Sequence, residues 1–256
     1  MSFLDSLILG IVEGITEFLP ISSTGHLILA SDLLGLVQTE FLKSFEIIIQ
    51  LGAIAAVIFL YWRSFLQIAV WQKILTAFLP TGIIGFFLYK AIKQYLIGNT
   101  AVVLWTLLIG GLALMIFEKL HREKPEAADS VEKISFKQAF LIGVCQALAA
   151  VPGLSRSAAT IVGGLAFGLK RKTIVEFSFL LAVPTMLAAS GWDLLKSGGG
   201  FSGGDFGFLG IGFVVSFLTA LAAVKWLLAF VQKNNFIAFG IYRILAAAIF
   251  YVFIMR

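Results

Sequence analysis

Six stretches of this chain run for about 20 residues with almost no charge, and two further apolar regions are cut in the middle by a proline. A span needs about 20 apolar residues to cross roughly 30 Å of hydrocarbon. The stretches at about 41–61, 73–93, 100–118, 172–194, 206–231 and 236–255 meet that length. The other two regions, 3–34 and 136–168, do not. Pro20 divides the first into a piece ending at Phe18 and one starting near Ser22, and Pro152-Gly153 divides the second in the same way. At 1.5 Å per residue the pieces of the first region reach only about 24 and 20 Å. Each region therefore reads as a re-entrant pair that enters the membrane, turns and leaves on the same side. Charged residues are 13% of the 256 and hydrophobic ones 60%, where an average soluble domain has about 25% and 45–50%. An ordinary soluble protein is excluded. The expected fold is an all-α polytopic membrane protein with six transmembrane helices and two re-entrant helix-turn-helix pairs.

Six crossings and two non-crossing pairs divide the basic residues unevenly. One face carries the five residues Lys43, Lys90, Lys93, Lys196 and Arg256. The other carries eleven: Arg63, Lys73, Lys119, Arg122, Lys124, Lys133, Lys137, Lys170, Arg171, Lys172 and Lys233. The positive-inside rule makes the second face cytoplasmic and puts both termini outside. The net charge of +5 is thereby a topology signal and calls for no nucleic acid. Lys225 and Arg243 fall inside spans, toward their cytoplasmic ends, and are expected to snorkel. Cys145 is the one cysteine; no intrachain disulfide forms, and the thiol reads as a small buried apolar group. The N-terminal stretch has no basic n-region and carries Asp5, Glu13 and Glu17, so it is not read as a signal peptide. The loop at about 119–135 reads as a solvated cytoplasmic connection, and Ser197–Asp205, rich in glycine, as a flexible outer linker.

A shift of 133 residues brings the two broken regions into register. Gly10-Ile-Val-Glu13 falls on Gly143-Val-Cys-Gln146, Ile21-Ser22 on Leu154-Ser155, and, after a three-residue gap, Glu46 on Glu176. Repeat 1 covers about 1–118 and repeat 2 about 136–256, within one membrane domain. Three crossings separate the two broken regions, so the copies enter from opposite sides, as an inverted-topology repeat. Broken helices in such repeats commonly meet near the midplane and form a binding site there. The patterns Gly10-x-x-x-Gly14 and Gly164-x-x-x-Gly168 fit close helix packing within the monomer.

The chemistry-bearing residues gather at these breaks. Glu13 and Glu17 lie four apart, on one helix face. An ionisable group at mid-bilayer depth costs roughly 2.5–3.5 kcal/mol even on the mild insertion scale, which a purely structural role does not justify. Paired carboxylates suit a hard divalent cation, Mg²⁺ or Ca²⁺. The first break reads Pro20-Ile-Ser22-Ser23-Thr24-Gly25-His26, the second Pro152-Gly-Leu-Ser155-Arg156-Ser157-Ala-Ala-Thr160. Both place hydroxyls at a helix start, where free N–H groups and the positive dipole end favour an anion. His26 lies one turn beyond Ser22 and Ser23, and Arg156 suits bidentate contact with phosphate. A cation site, two helix N-termini, an arginine and a hydroxyl beside an imidazole are the parts of a phosphoryl-transfer centre. The substrate would be a phosphate ester or anhydride resident in the membrane. A transporter of lipid phosphate is the rival reading, because inverted repeats and broken helices are also transporter architecture.

The segments Glu13-Gly-Ile-Thr-Glu17, Pro20 to His26 and Pro152 to Thr160, together with Phe45-Glu-Ile-Ile-Ile-Gln-Leu-Gly52, closely resemble those of the BacA-type undecaprenyl-diphosphate phosphatase family. The resemblance runs along nearly the whole chain. Gln146 and Ala150 stand where the first repeat has Glu13 and Glu17, which leaves a single carboxylate pair. The resemblance implies a multi-pass enzyme of the bacterial inner membrane. It would remove the terminal phosphate of a C55 polyprenyl diphosphate, recycle the carrier of cell-wall synthesis and confer bacitracin resistance. It further implies a divalent cation and a site open to the outer face. On this reading Ser23 attacks phosphorus, or His26 does so in a variant; otherwise His26 is general base, and Arg156 acts with the cation held by Glu13 and Glu17. Ser22, Thr24, Ser155, Ser157 and Thr160 bind phosphate. The expected partners are the lipid substrate and membrane lipids, with room for a homo-oligomer.

Overall fold

The computed structural model describes residues 1–95, 99–197 and 205–254. Most of the linker expected at Ser197–Asp205, and Arg256, lie outside them. Among the described residues the chain is helical, with α1 (Phe3–Thr16), α2 (Ser23–Leu33), α3 (Glu40–Tyr61), α4 (Ile68–Tyr95), α5 (Thr100–Leu120), α6 (Phe136–Ala147), α7 (Arg156–Ala166), α8 (Arg171–Ser197), α9 (Asp205–Val231) and α10 (Ile237–Ile254). Five segments are long and apolar enough to cross a membrane: Glu40–Tyr61, Ile68–Leu88, Thr100–Leu120, Arg171–Trp192 and Asp205–Val231. The sixth expected span forms α10, whose 18 residues are slightly fewer than the roughly 20 of a standard crossing. Phe86, Phe87, Trp105 and Phe253 stand exposed on the outer flanks of the bundle, as befits a chain whose solvent at that level is lipid.

The two broken regions fold as helix pairs. At 14, 11, 12 and 11 residues, α1, α2, α6 and α7 each reach no more than about 21 Å. Their boundaries keep one register. Ser2 and Ser135 open α1 and α6, each with a reciprocal capping box, to Asp5 and to Gln138. The helices after the breaks begin at Ser23 and Arg156, preceded by Ser22 and Ser155, the two non-glycine residues with positive φ among those described, at 73° and 75°. Gly35 and Gly168, both at positive φ, close the pairs. The first helix ends at Thr16, two residues before the expected Phe18. Pro20 cannot supply an amide hydrogen to continue α1, and its ring disfavours helical geometry at Leu19.

The halves interlock. The most extensive contacts join α1 to α9, α3 to α9, α5 to α10 and α4 to α6, so the first helix of each broken region packs on a helix from the other half. Small residues permit the approach. Gly10 and Gly14 face Gly212, Ser216 and Thr219 of α9, and Gly164 faces Ile174, consistent with packing inside the monomer. A Cβ at Gly143 would overlap the Ala77 carbonyl oxygen and lie 2.7 Å from its carbon. Gly143→Ala is therefore expected to cost about 2–3 kcal/mol, since main chain cannot step aside as a side chain can; a fall of several degrees in the unfolding temperature of the detergent-solubilised protein checks this.

The loop at 119–135 is exposed over most of its length, as its charges lead one to expect, but three of its apolar residues turn inward. Ala127, Val131 and Ile134 are buried, and Ala128 pairs with the strand-like turn before α8, its N–H donating to Gly168 O at 3.0 Å and its carbonyl accepting from Lys170 at 2.9 Å. Arg171 locks the arrangement with contacts to Glu118 at 2.7 Å and Glu123 at 3.3 Å.

Candidate active site

The turn after α1 and the turn after α6 meet inside the bundle. Ser157 Oγ, at the start of α7, donates to the Phe18 carbonyl at 2.8 Å, and Arg156 reaches Glu17 across the same seam. Between the turns lies a cleft of about 140 Å³ lined by Glu17, Ser22, Ser23, Thr24, Ser155 and Arg156, with Gln50 of α3, Met186 of α8 and the Ala149–Gly153 turn completing its wall. That volume admits a group the size of a phosphate.

Charge and hydrogen bonding are concentrated at one point. The Ser23 hydroxyl donates to Glu17 Oε2 at 2.5 Å, the short distance of an O–H bound to a carboxylate. Glu17 Oε1 accepts from Arg156 Nη2 at 3.3 Å, and Arg156 Nη1 is anchored on the Ser178 carbonyl at 2.9 Å. Arg156 Nε is buried without a partner, a donor left for a ligand oxygen. The first N–H groups of α2 and α7 have no carbonyl within their own helices to bind. Ser155 Oγ caps α7 through Ala158 N at 3.2 Å, whereas Ser22 makes no such side-chain cap. The positive φ of both serines turns the chain sharply into each helix, a strain of about 1–3 kcal/mol apiece that surrounding contacts must hold.

Glu13 sits below the cleft rather than on its wall. It is fully buried, and neither carboxylate oxygen has a hydrogen-bond partner. Ser157 and Thr160, expected to bind phosphate, do not line the cleft. Ser157 spends its hydroxyl on Phe18, and Thr160 donates to the Arg156 carbonyl at 2.7 Å. Ser22, Thr24 and Ser155 do line it.

His26 also stands apart. Its Nδ1 is 2.7 Å from the Ser22 carbonyl, and its Nε2 is 2.8 Å from the Tyr242 hydroxyl, with the two rings stacked at 5.4 Å. A carbonyl can only accept, so Nδ1 carries the proton and the one basic nitrogen of the neutral ring is taken by Tyr242. The structure does not bring His26 to the Ser23 hydroxyl.

Three contributors escape a reading of the sequence. Gln50 lies in the cleft wall with its Oε1 held by Ser190 Oγ at 3.1 Å; its sequence signal is an amide within an otherwise apolar span. Tyr242 supports His26. Arg243 is expected to snorkel, but it is 0% exposed and binds main-chain carbonyls at both breaks. It turns inward because five acceptors wait there.

A family profile described as bacitracin resistance protein BacA matches residues 6–249. The chain is 54% identical over 252 residues to the undecaprenyl-diphosphatase of Sulfurihydrogenibium sp., covering 98% of this chain and 99% of that one. It is 51% identical to that of Aquifex aeolicus, with 98% of each covered. Identity to the undecaprenyl-diphosphatase of Persephonella marina is 49%, over the full length of both.

Proposed function

The chain belongs to the bacitracin resistance protein BacA family, and from that premise and its cleft we propose how it hydrolyses undecaprenyl diphosphate to undecaprenyl phosphate and inorganic phosphate. The observation that carries the mechanism is the Ser23 hydroxyl at 2.5 Å from Glu17 Oε2, beside Arg156, between two helix N-termini. Ser23 Oγ attacks the terminal phosphorus while Glu17 takes its proton; an Oγ–P bond forms, the P–O bond to the inner phosphate breaks, and the lipid monophosphate leaves. Glu17 passes that proton to the leaving phosphate oxygen and, ionised again, takes one from the water that attacks the phosphoserine; the Oγ–P bond breaks, Ser23 Oγ recovers the proton and inorganic phosphate leaves. Arg156 and the N–H groups of α2 and α7 balance the charge that builds on the phosphoryl oxygens. His26 holds Ser22 in place and takes no proton from Ser23. A lipid-phosphate transporter is not favoured by relatives that carry the name of a diphosphatase.

The carboxylate pair fits a divalent cation. Glu13 is orphaned in the interior, its pairing with Glu17 concentrates negative charge, and among the described residues no third His, Cys, Asp or Glu joins them. Glu13 and Glu17 would hold Mg²⁺ or Ca²⁺ through their carboxylate oxygens, the hard donors such cations prefer. When bound, such a cation would screen the phosphate charge from the two carboxylates. EDTA is expected to lower phosphate release from C55 diphosphate by the purified protein by more than about tenfold, with recovery on adding Mg²⁺ or Ca²⁺; unchanged release in EDTA removes the cation from the scheme, and no release under any condition removes the hydrolase.

We further propose that the helix pairs are re-entrant, that α10 is the sixth crossing and that the two halves have inverted topology. The shared register of caps, breaks and positive-φ residues supports the repeat, and the distribution of basic residues supports an outward-facing site with both termini periplasmic.

A further inference from the structure

Arg243 is the largest fully buried polar side chain among the described residues, and all of its hydrogen bonds end on main-chain carbonyls. Nε donates to Leu107 at 3.3 Å, Nη1 to Pro20 at 3.4 Å and Leu154 at 2.9 Å, and Nη2 to Thr106 at 2.9 Å and Gly153 at 3.0 Å. A guanidinium has five N–H donors in a planar fork, so this one is saturated. One arm joins the first break to the second, and the other two nitrogens tie that junction to α5.

We propose that Arg243 is a positioning residue for phosphoryl transfer: its guanidinium pins the two breaks together so that Ser23 and Arg156 face one phosphate group. The carbonyls it holds belong to Pro20, Gly153 and Leu154, one or two residues before Ser22 and Ser155. Those two serines keep positive φ, a conformation that lasts only where neighbouring contacts over-determine it. Holding these carbonyls fixes the peptide planes just before Ser22 and Ser155, and with them the direction in which the chain enters Ser23 and Arg156. The fold keeps space for the fork at one glycine. A Cβ on Gly110 would overlap Arg243 Nη2 and lie 2.9 Å from Cζ, and the three nearest side-chain atoms to it all belong to Arg243.

That last feature separates positioning from mere stabilisation. Gly110→Ala displaces only the far end of Arg243 while improving the helix propensity of α5. Arg243→Lys keeps a charge with three donors at a single point and cannot span both breaks. The proposal rests on the phosphatase reading, so kcat and KM for C55 diphosphate are compared with the parent protein, alongside thermal unfolding. Expected are a fall in kcat of about 10²-fold for Arg243→Lys and Arg243→Met and of about tenfold for Gly110→Ala, because small misplacements of reacting groups cost that much. KM should stay within about threefold, and Gly110→Ala should remain folded at the assay temperature, so that its kcat loss exceeds any loss of folded fraction. Parent-like kcat in Gly110→Ala, near-full rescue by lysine, a rise in KM alone, or a kcat loss in every variant that merely follows the fraction unfolded would each overturn the proposal. A parent without phosphate release would instead overturn the phosphatase reading.

Discussion

Arg156→Ala is expected to reduce phosphate release by at least about 10³-fold, the upper range for loss of a donor to a developing oxyanion. Arg156 faces both Glu17, at 3.3 Å, and the cleft, and its Nε–H is a buried donor without a hydrogen-bond partner. Removing it withdraws charge from the phosphoryl oxygens and leaves Glu17 and Glu13 as neighbouring carboxylates in a low-dielectric interior. Breaking a buried pair by deleting one partner costs about 3–5 kcal/mol, so a lower unfolding temperature should accompany the lost rate. Arg156→Lys separates the two effects. It retains the charge that steadies the carboxylates but cannot bind Ser178, Glu17 and phosphate through a planar fork, so stability should largely return while release stays about 10²-fold down. Turnover above a tenth of the parent value in Arg156→Ala would remove this residue from the reaction.

Why some of this was legible in sequence and some not follows from the range of the interactions. The breaks are local: Pro20 and Pro152-Gly153 interrupt apolar runs too short to cross, and the 133-residue register between them survives as matching caps at Ser2 and Ser135 and matching turns at Ser22 and Ser155. Arg156 stood out because a charge at a helix break inside a membrane has few inexpensive explanations. Arg243 did not, since an arginine near the end of an apolar span has the same pattern whether it reaches outward to the interface or inward to carbonyls brought from three other segments. Hydroxyls were over-assigned for a related reason. Ser157 and Thr160 sit in a motif of phosphate-binding character, yet an interior poor in acceptors sends their protons to the Phe18 and Arg156 carbonyls. The helix spacing of His26 was compatible with a hydroxyl at Ser22 or Ser23; the carbonyl of Ser22, which also accepts the His26 main-chain N–H at 3.4 Å, lies nearer and wins.

Ser23→Ala and Glu17→Gln should each abolish turnover to within detection, a loss of about 10³-fold or more, while His26→Gln loses less than either. The three variants divide the roles that the geometry assigns. Ser23 supplies the attacking oxygen, so alanine leaves no nucleophile and no covalent intermediate. Glu17 accepts the Ser23 proton at 2.5 Å; glutamine preserves size and hydrogen bonding to Arg156 poorly and, above all, has no basicity, so the hydroxyl remains a weak nucleophile. His26→Gln keeps an amide able to donate to the Ser22 carbonyl and to meet Tyr242, which is the work the imidazole does here. Rapid acid quenching with labelled C55 diphosphate decides the chemistry as well as the rates, because phosphoserine survives acid and is lost in alkali, whereas phosphohistidine behaves in the opposite way. Acid-stable label in the parent, absent from Ser23→Ala and retained in His26→Gln, is the expected pattern. An acid-labile intermediate that vanishes with His26 would require His26 to leave both its present partners and swing into the cleft, and would transfer the nucleophile from the hydroxyl to the imidazole.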